Sequence, residues 1–362
     1  MRGDHTSRQS RSDRDTDAAA RAYCRQMLPR VSRTFALNIR ILPGAMRDVV
    51  SQAYLFCRIA DTVEDSPFLA AESKVSKLES FASLFPTAGS DSERIERWAQ
   101  DFEALQIGGD EYALCRNSGR VFRAFGVAPT AMRRPVEECV REMALGMRDF
   151  SRRRALAPDG RLQLEDTADL ERYCHVVAGT VGNMLVRLFT GSSAHIGVAR
   201  AQRMGVLAER FALALQLTNI IKDVASDVRR GACYVPRSWA MRHGIAPEAM
   251  LDPAHRDAAR AVVRDLARHA VNAFDAALSF TLEIPRRELR LRLFCLWPLF
   301  LAVRTLSRVL PDEHMFVPGQ RPRIPRDEVR RCLSETTLAA WSNDAVRRLY
   351  GRRRVALQTL GF

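Results

Sequence analysis

The sequence predicts an all-α protein, because helical periodicity dominates, strand signals are weak and helix breakers fall between the periodic segments. Apolar residues recur at steps of three and four, which is the period of an amphipathic helix. The pattern is clearest in 46–63, 136–150, 170–189 and 203–228. No two alternating segments are joined by a turn, so a β-hairpin has no support. Gly and Pro mark the expected helix ends, as at Pro43-Gly44 and Pro285.

The chain is expected to form one large domain with short segments at its ends. Its 362 residues, 47% of them hydrophobic, are enough to bury one sizeable core. There is no internal repeat, and no linker is rich enough in Gly, Pro or Ser to divide the chain. We therefore assign 19–352 to a single helical domain, 1–18 to a polar, disordered arm and 353–362 to a C-terminal tail.

The formal net charge of +14 favours anionic partners. The sequence has only three lysines, so nearly all of the positive charge is arginine. Basic residues are scattered over many segments, and the densest runs are 152–154, 286–292 and 347–354. A scattered surplus is typical of a solvated surface, and no nucleic-acid-reading motif accompanies it. We therefore expect no nucleic-acid partner.

Cysteine usage and hydropathy indicate a cytoplasmic protein with no transmembrane helix. None of the eight cysteines has CxxC spacing, so a structural zinc site has no support. The polar first segment lacks the apolar stretch of a secretory signal, so a reducing compartment is favoured over disulfides. The longest apolar run, 293–303, is shorter than the roughly 20 residues that span a bilayer. Peripheral membrane contact through basic residues stays open.

The first candidate site lies in 54–65. Asp61 and Asp65 are four residues apart, which places both carboxylates on one face of a helix. Arg58 and Tyr54 extend that face toward the N-terminus. The residues between them are largely apolar, so the polar stripe needs a physical reason.

A second segment repeats the pattern later in the chain. Asp223 and Asp227 are again four residues apart. Asn219 and Gln216 continue the polar stripe at steps of four and three, and Lys222 supplies a nearby cation. The remaining positions of this stretch are largely apolar.

Two such stripes favour a divalent metal site. Adjacent carboxylates repel one another, and burying them is costly unless cations compensate. If the two helices face one another, four carboxylates converge on one cavity, and hard oxygen ligands of that kind suit Mg²⁺. The alternative for either motif alone is a solvated acidic face with ordinary helix ion pairs.

At these residues the sequence resembles the squalene and phytoene synthase family. The likeness covers 20–310. The segments that carry it are Ser32-Arg33-Thr34-Phe35-Ala36, 54–65, 173–182 and 216–227. The resemblance implies a single-domain isoprenoid synthase fold of the class I terpenoid synthases, which is a helical bundle around a central cavity.

The resemblance also implies a role for each matching residue. The residues that it assigns to magnesium are Asp61, Glu64, Asp65, Asn219, Asp223 and Asp227. Those that it assigns to the prenyl diphosphate are Ser32, Arg33, Phe35, Tyr54, Arg58, Gln216, Asn219 and Lys222. Tyr173 would lie beside the developing carbocation and assist proton removal. The implied catalytic set is therefore Tyr173, Asp61, Asp65, Asp223 and Asp227, and Arg323 and Arg326 would contact NADPH.

The implied reaction is that of a squalene synthase. Two molecules of farnesyl diphosphate would condense head to head through presqualene diphosphate, and NADPH would then reduce the product to squalene. The segments Asp61-Thr-Val-Glu-Asp65 and Leu296-Trp297-Pro298 resemble the squalene-forming branch. A phytoene or dehydrosqualene synthase, which performs the same condensation without reduction, is the first alternative. A catalytically inactive helical binding protein is the second, and four intact acids argue against it.

Three places depart from the family pattern. Lys222 stands where many relatives have arginine, so the charge is kept and the bidentate geometry is lost. Ala232 stands where relatives often have a phosphate-facing arginine, which leaves Arg229 or Arg230 as a substitute. The segment 321–326 resembles only loosely the basic loop that lies near NADPH.

Overall fold

The computed structural model of the chain describes residues 3–86, 91–320 and 323–358, with side chains from residue 14 onward except that of Arg33. Over this part of the chain the regular structure is helical apart from one pair of two-residue strands, which confirms the all-α prediction. Contacts between Cα atoms divide the chain into two compact units, 1–148 and 149–362. The assignment of 19–352 to a single domain stays a prediction.

The first unit is built from helices joined by short connections. They are α1 (Gly3–Val31), α2 (Arg33–Arg40), α3 (Gly44–Asp65), α4 (Ala71–Ala82), α5 (Ser92–Glu103), α6 (Asp110–Arg116), α7 (Ser118–Gly126) and α8 (Thr130–Leu156), whose last turns belong to the second unit. α1 includes residues 3–18, which the sequence assigned to a disordered arm. No Gly or Pro interrupts the chain between Asp4 and Leu28, so a helix can continue through this polar stretch.

Phe56 lies at the centre of an aromatic cluster in the first unit. Its side chain is fully buried on α3. Its ring centroid lies 4.7 Å from that of Phe122, 5.1 Å from that of Phe85 and 5.4 Å from that of Phe125. Ring pairs at these separations stabilise a core by about 0.5–1.5 kcal/mol each beyond their burial. The cluster therefore fixes the middle of the helix that carries the first acidic motif.

The second unit continues the helical order. Its elements are β1 (Leu162–Gln163), α9 (Thr167–Cys174), α10 (Thr180–Ser192), α11 (Val198–Arg229), β2 (Ala232–Cys233), α12 (Arg237–Arg242), α13 (Arg256–Glu283), α14 (Leu289–Val309), α15 (Arg326–Ala339) and α16 (Asn343–Gln358). Short 3₁₀ turns are Pro247–Ala249, Pro253–His255 and Glu313–Phe316. A π-helical turn, His175–Gly179, joins α9 to α10, so the stretch predicted as one helix over 170–189 contains one wider turn. α16 covers residues 353–358 of the predicted tail, and 359–362 lie outside the described residues.

α11 is the central helix of the second unit. It packs lengthwise on α13 and also contacts α10 and α14. Phe211 of α11 and Phe280 of α13 have ring centroids 5.2 Å apart. At Gly182 of α10, an added Cβ would lie 2.9 Å from the backbone oxygen of Ala208, so α10 approaches α11 too closely for any other residue. This close approach explains one of the two glycines in the 173–182 segment.

The length and composition of α11 would allow it to cross a membrane, and it is the described helix with that property. Half of its apolar window, 50%, is buried inside the fold. Packing against α13 and α14 accounts for that apolar character. The expectation of no transmembrane helix stays a prediction.

A short strand pair holds the chain that follows α11. β1 and β2 are parallel, with Leu162 opposite Ala232 and Gln163 opposite Cys233. Gly231 turns the chain between α11 and β2 with a φ of +77°, a left-handed conformation that favours glycine. Two-residue strands so far apart in sequence carry no periodic signal of their own, which is why the sequence did not predict them.

We expect Gly182→Ala to destabilise the protein by about 1–3 kcal/mol, because the new methyl group would press on a backbone oxygen of α11. Gly205→Ala is the matched control, since no atom lies within 4 Å of the Cβ that it adds to α11. Alanine is favoured over glycine inside a helix by about 1 kcal/mol, so this variant should be more stable. Thermal or urea unfolding should therefore shift in opposite directions for the two variants. Equal stabilities would contradict the close packing of α10 on α11.

Candidate active site

The first acidic motif lies at the C-terminal end of α3. This helix ends at Asp65, so Asp61, Glu64 and Asp65 occupy its last turn. The helix macrodipole makes that end negative, and a carboxylate there is unfavourable by about 0.3–1 kcal/mol. No basic residue of α3 lies in its last turn. Positive charge must therefore come from elsewhere to stabilise the motif.

Arg58 is the first source of positive charge. Its Nη1 donates to Asp61 Oδ2 at 2.5 Å, and its Nη2 lies 3.4 Å from Glu111 Oε1 on α6. Burial lowers the pKa of Arg58, but the charges of Asp61, Tyr54 and Glu111 outweigh burial, so the pKa is raised overall. The guanidinium therefore stays charged between two carboxylates that come from different helices.

Lys74 is the second source of positive charge. It is one of the three lysines of the chain, and it is buried although it lies on the short helix α4. Its Nζ donates to the backbone oxygen of Glu64 at 2.6 Å. This bond places a cation on one of the last carbonyl groups of α3, where it opposes the negative end of the helix dipole.

The N-terminal end of α2, with its capping residue Ser32, lies next to the same motif. Ser32 caps α2, and its Oγ accepts from the backbone N–H of Phe35 at 3.2 Å. The ring centroids of Phe35 and Tyr54 are 5.6 Å apart. Burial raises the pKa of Tyr54, although hydrogen bonding with Ser32 and the charge of Arg58 oppose that shift. The structure thus brings Ser32, Phe35, Tyr54 and Arg58 together, and the side chain of Arg33 lies outside the described residues.

The second acidic motif lies near the C-terminal end of α11. Asp227 is in the last turn and meets the same unfavourable dipole, and Asp223 lies one turn earlier. The side chain of Asp227 is only 9% exposed, and its Oδ1 accepts from Arg230 Nη2 at 2.7 Å. Asp223 Oδ2 lies 3.2 Å from Lys222 Nζ. Each carboxylate of this motif therefore has a cation from its own segment within ion-pair distance.

The polar stripe of α11 extends one to two turns above these acids. Lys222 Nζ donates to Asn219 Oδ1 at 3.3 Å, so the lysine contacts both the amide and the next carboxylate. Gln216 is half-buried one turn earlier. These side chains form one continuous polar face on an otherwise apolar helix, as the spacing predicts.

The structure distinguishes the two arginines considered as substitutes at Ala232. Ala232 itself is buried in β2. Arg230 contacts Asp227, whereas Arg229 is exposed and has no ion pair among the described residues. Arg230 is therefore the arginine that contacts the acidic motif.

Tyr173 lies in an aromatic environment at the end of α9. Its side chain is buried, with 5% exposure. Its ring is stacked on Tyr234 with centroids 4.3 Å apart, and the edge of Phe150 lies 5.2 Å away. Aromatic faces carry negative quadrupole charge and attract cations. A stack of this kind is suited to contact with an apolar, electron-poor group.

The π-helical turn follows Tyr173 directly. It spans His175–Gly179, and an added Cβ at Gly179 would lie 2.9 Å from His175 Nδ1. The His175 ring also lies 3.3 Å from Glu209 through Nδ1, which holds it toward α11. Single π turns inside α-helices frequently occur at functional sites. Glycine at position 179 is therefore explained by the His175 ring, and no metal role for His175 is needed.

The donor set of each motif fits magnesium. Among the described residues, no group of three or more His, Cys, Asp or Glu side chains is assembled as a metal site. Magnesium in enzymes that bind phosphates is typically held by one or two carboxylates together with substrate phosphate and water. Asp61 with Asp65, or Asp223 with Asp227, provides two oxygen ligands on one helix face. That both motifs share the same metal ions stays a prediction.

The residues assigned to NADPH lie before and at the start of α15. Arg323 and Arg326 are exposed, and Arg326 is the first residue of that helix. Exposed guanidinium groups fit the phosphates of such a cofactor by charge. Arg321 and Pro322 lie outside the described residues, and the cofactor assignment stays a prediction.

Several residues of the site were not found from the sequence. Glu111 and Tyr234 are far in sequence from the residues that they contact, Arg58 and Tyr173, so no local spacing could reveal them. Lys74 had one available signal, which is the scarcity of lysine in this chain. A lysine among so many arginines, ten residues after Glu64, whose backbone oxygen it contacts, supplies a compact point charge in place of a planar guanidinium.

The described residues form an all-α fold in which α3 and α11 each carry an acidic motif near the C-terminal end. The sequence matches the squalene/phytoene synthase family over residues 28–330, and the chain belongs to that family. The family expectation drawn from the four sequence segments is thereby confirmed.

Known relatives agree with this assignment. The chain is 28% identical over 308 residues to squalene synthase from Eremothecium gossypii, covering 83% of this chain and 65% of the relative. It is 26% identical over 313 residues to human squalene synthase, covering 84% of this chain and 67% of the relative. The chain thus spans about two thirds of the length of these relatives.

Solved structures share the fold. TcSQS in complex with the ligand BPH1237 superposes with a TM-score of 0.74 at 24% identity, covering 94% of this chain and 99% of that one. A dehydrosqualene synthase in complex with a ligand superposes with a TM-score of 0.58 at 20% identity, covering 90% of this chain and 98% of that one. Both likenesses concern the fold.

Proposed function

We propose that the chain is a magnesium-dependent squalene synthase, which ionises allylic prenyl diphosphates and joins two molecules of farnesyl diphosphate head to head. The observation that carries this proposal is the position of both acidic motifs at the negative ends of their helices. Carboxylates at these positions are unfavourable in the absence of cations. Metal ions bound there would offset the negative charge and would also bind a diphosphate. The curated relatives, which are squalene synthases, support the choice of reaction.

In the proposed reaction, the acids of the two motifs hold the metal ions. Magnesium bound there would neutralise the negative charge of the leaving diphosphate. Asp61 and Asp65 act from α3, and Asp223 and Asp227 act from α11. Glu64 and Asn219 complete the proposed metal set. Each helix can supply two oxygen ligands to a different side of the same diphosphate if the two motifs face one another.

The cations and hydroxyl groups beside the motifs orient the substrate. Arg58 and Lys222 are proposed to donate to phosphate oxygens, because both already lie within ion-pair distance of a motif carboxylate. Arg230 is proposed to hold the nearly buried Asp227 toward the metal through their ion pair. Ser32 and Tyr54 supply hydroxyl donors near Arg58, and Arg33 and Gln216 complete the proposed phosphate-binding set.

Tyr173 is the proposed group beside the carbocation. Its buried, stacked ring excludes water from the reacting carbon and presents an aromatic face to positive charge. Its hydroxyl is proposed to assist removal of the proton when the cyclopropane ring of presqualene diphosphate closes. Phe35, which lies against Tyr54, is proposed to contact the prenyl chain.

The second half-reaction is the part on which the candidate functions differ. NADPH would supply the hydride that gives squalene, and Arg323 and Arg326 are proposed to bind its phosphates. A phytoene or dehydrosqualene synthase would stop before this step. The proposed location is the cytoplasm, with peripheral contact to a membrane that would receive the apolar product.

The purified chain should convert farnesyl diphosphate to squalene when both magnesium and NADPH are present. With magnesium but without NADPH, presqualene diphosphate should accumulate, because condensation does not need the hydride. Product analysis by mass spectrometry distinguishes these species. A polyene formed equally well with and without NADPH would establish the dehydrosqualene-type reaction. No product under any of these conditions would contradict the proposal as a whole.

Tyr173→Phe should slow formation of presqualene diphosphate in a single turnover by about 10²–10⁴-fold, the usual contribution of a general acid–base group. Tyr234→Phe is the matched control, because it removes the same hydroxyl from the ring stacked on Tyr173. The control variant should retain most of the wild-type rate. Similar rates for the two variants would remove the role assigned to Tyr173, and circular dichroism should show that both remain helical.

A further inference from the structure

One of the dense basic runs of the sequence, 286–292, borders a cavity of about 430 Å³ in the second unit. The polar residues that line this cavity are His195, Arg200, Arg286, Arg287, Arg292 and Asn343. No Asp or Glu is among the described residues that line it. A cavity with four arginines and no acid on its wall is expected to attract an anion.

Arg292 is the buried member of this group. The residue has 0% exposure, which is rare for a charged side chain. Its Nη1 donates to the backbone oxygen of Ile284 at 2.7 Å and its Nη2 to Asn343 Oδ1 at 2.9 Å, while its buried Nε has no hydrogen-bond partner. No described carboxylate lies within ion-pair distance of it. A buried charge that meets only neutral oxygens leaves part of its desolvation cost uncompensated.

The arginines next to Arg292 add further positive charge at this cavity. Burial, and then the charge of Arg286, lower the pKa of Arg292 to about 10. Arg286 and Arg287 are exposed and form no ion pair with a described residue.

Two acids lie close by in sequence. Glu283 pairs with Arg203 at 2.9 Å and lies 3.9 Å from Arg200, so it offsets the charge of one of the four cavity arginines. Glu288 hydrogen-bonds Ser193 and forms no ion pair with Arg286, Arg287 or Arg292.

This cavity is separate from the proposed active site. Arg200 lies in the first turn of α11, whereas Asp223 lies near its last turn. At 1.5 Å per residue, the two positions are about 35 Å apart along the helix axis. An anion at the arginine cavity would therefore not be the diphosphate held by the acidic motifs.

We propose that the cavity lined by Arg286, Arg287 and Arg292 is a second anion site, which binds a phosphate group. Arginine binds phosphate through planar, bidentate hydrogen bonds, which the exposed Arg286 and Arg287 can make. The buried Arg292 behind them, whose Nε has no hydrogen-bond partner, adds positive charge that no carboxylate neutralises. A cavity of 430 Å³ is large enough for a phosphate group with part of the molecule attached to it.

Two sources of that phosphate group are compatible with the site. One is a free phosphate or diphosphate in solution, and the other is the headgroup of an anionic lipid. Val198 and Trp341 are 75% and 63% exposed, and each lies two residues before a residue that lines the cavity, Arg200 and Asn343 respectively. Exposed tryptophan and aliphatic side chains beside basic residues are typical of a lipid surface.

The site is tested by titrating inorganic diphosphate into the chain by calorimetry, with EDTA present so that no metal-dependent binding contributes. Arg287→Ala should weaken binding by about tenfold or more, which corresponds to about 1.4 kcal/mol. Arg290→Ala is the matched control, because it removes the same charge from the same basic run. Arg290 is exposed and does not line the cavity. The control should bind within about twofold of wild type.

Sedimentation with vesicles separates the two sources. The arms are phosphatidylcholine alone and phosphatidylcholine with phosphatidic acid, each with wild type, Arg287→Ala and Arg290→Ala. Binding to phosphatidic acid that is lost in Arg287→Ala assigns a lipid headgroup, and binding of free diphosphate alone assigns a soluble phosphate. Equal loss in Arg287→Ala and Arg290→Ala, or wild-type binding of neither probe, would overturn the proposal.

Discussion

Carboxylates at the negative end of a core helix are the constraint on which the surroundings of each acidic motif depend. Acids are ordinarily favoured at helix N-termini, where they oppose the dipole. In this chain α3 and α11 both carry theirs in the last turns. Four basic side chains near these helix ends compensate the negative charge. These are Arg58, Lys74, Lys222 and Arg230.

The form of this compensation suits a site that must accept and release ions. The Arg58–Asp61 pair is partly exposed, with 30% and 37% of the side chains accessible, and ion pairs of that kind contribute about 0–1 kcal/mol. Metal ions and a diphosphate can therefore displace the pair at little cost. Asp227 is different, because its side chain is nearly buried and depends more strongly on Arg230. Loss of Arg230 would therefore be more costly for Asp227 than loss of Arg58 for Asp61.

The sequence predicted the parts of this arrangement that depend on local spacing. Periodicity and helix breakers account for the presence of α3 and α11 and for the breaks at Pro43 and Pro285. They also account for the shared faces of Asp61 with Asp65 and of Asp223 with Asp227. The predicted segment 203–228 missed the first five residues of α11, which begins at Val198. The contact of Ser32 and Phe35 with Tyr54 agrees with the family resemblance.

Contacts between distant segments could not be predicted in that way. Glu111 reaches Arg58 from another helix, and Tyr234 stacks on Tyr173 from a strand region that no local pattern marks. The π turn at His175–Gly179 keeps the apolar periodicity of a helix, so the sequence does not distinguish it from an ordinary turn. The burial of Arg292 could not be predicted either. It depends on packing, whereas the basic run around Arg292 is typical of a solvated surface.

A crystal structure of the chain with magnesium and an unreactive analogue of farnesyl diphosphate most directly tests the proposal that the two motifs share metal ions. We predict metal ions ligated by Asp61 or Asp65 on one side of the diphosphate and by Asp223 or Asp227 on the other. A diphosphate bound without metal, with the carboxylates of α3 and α11 directed away from one another into bulk water, would contradict it.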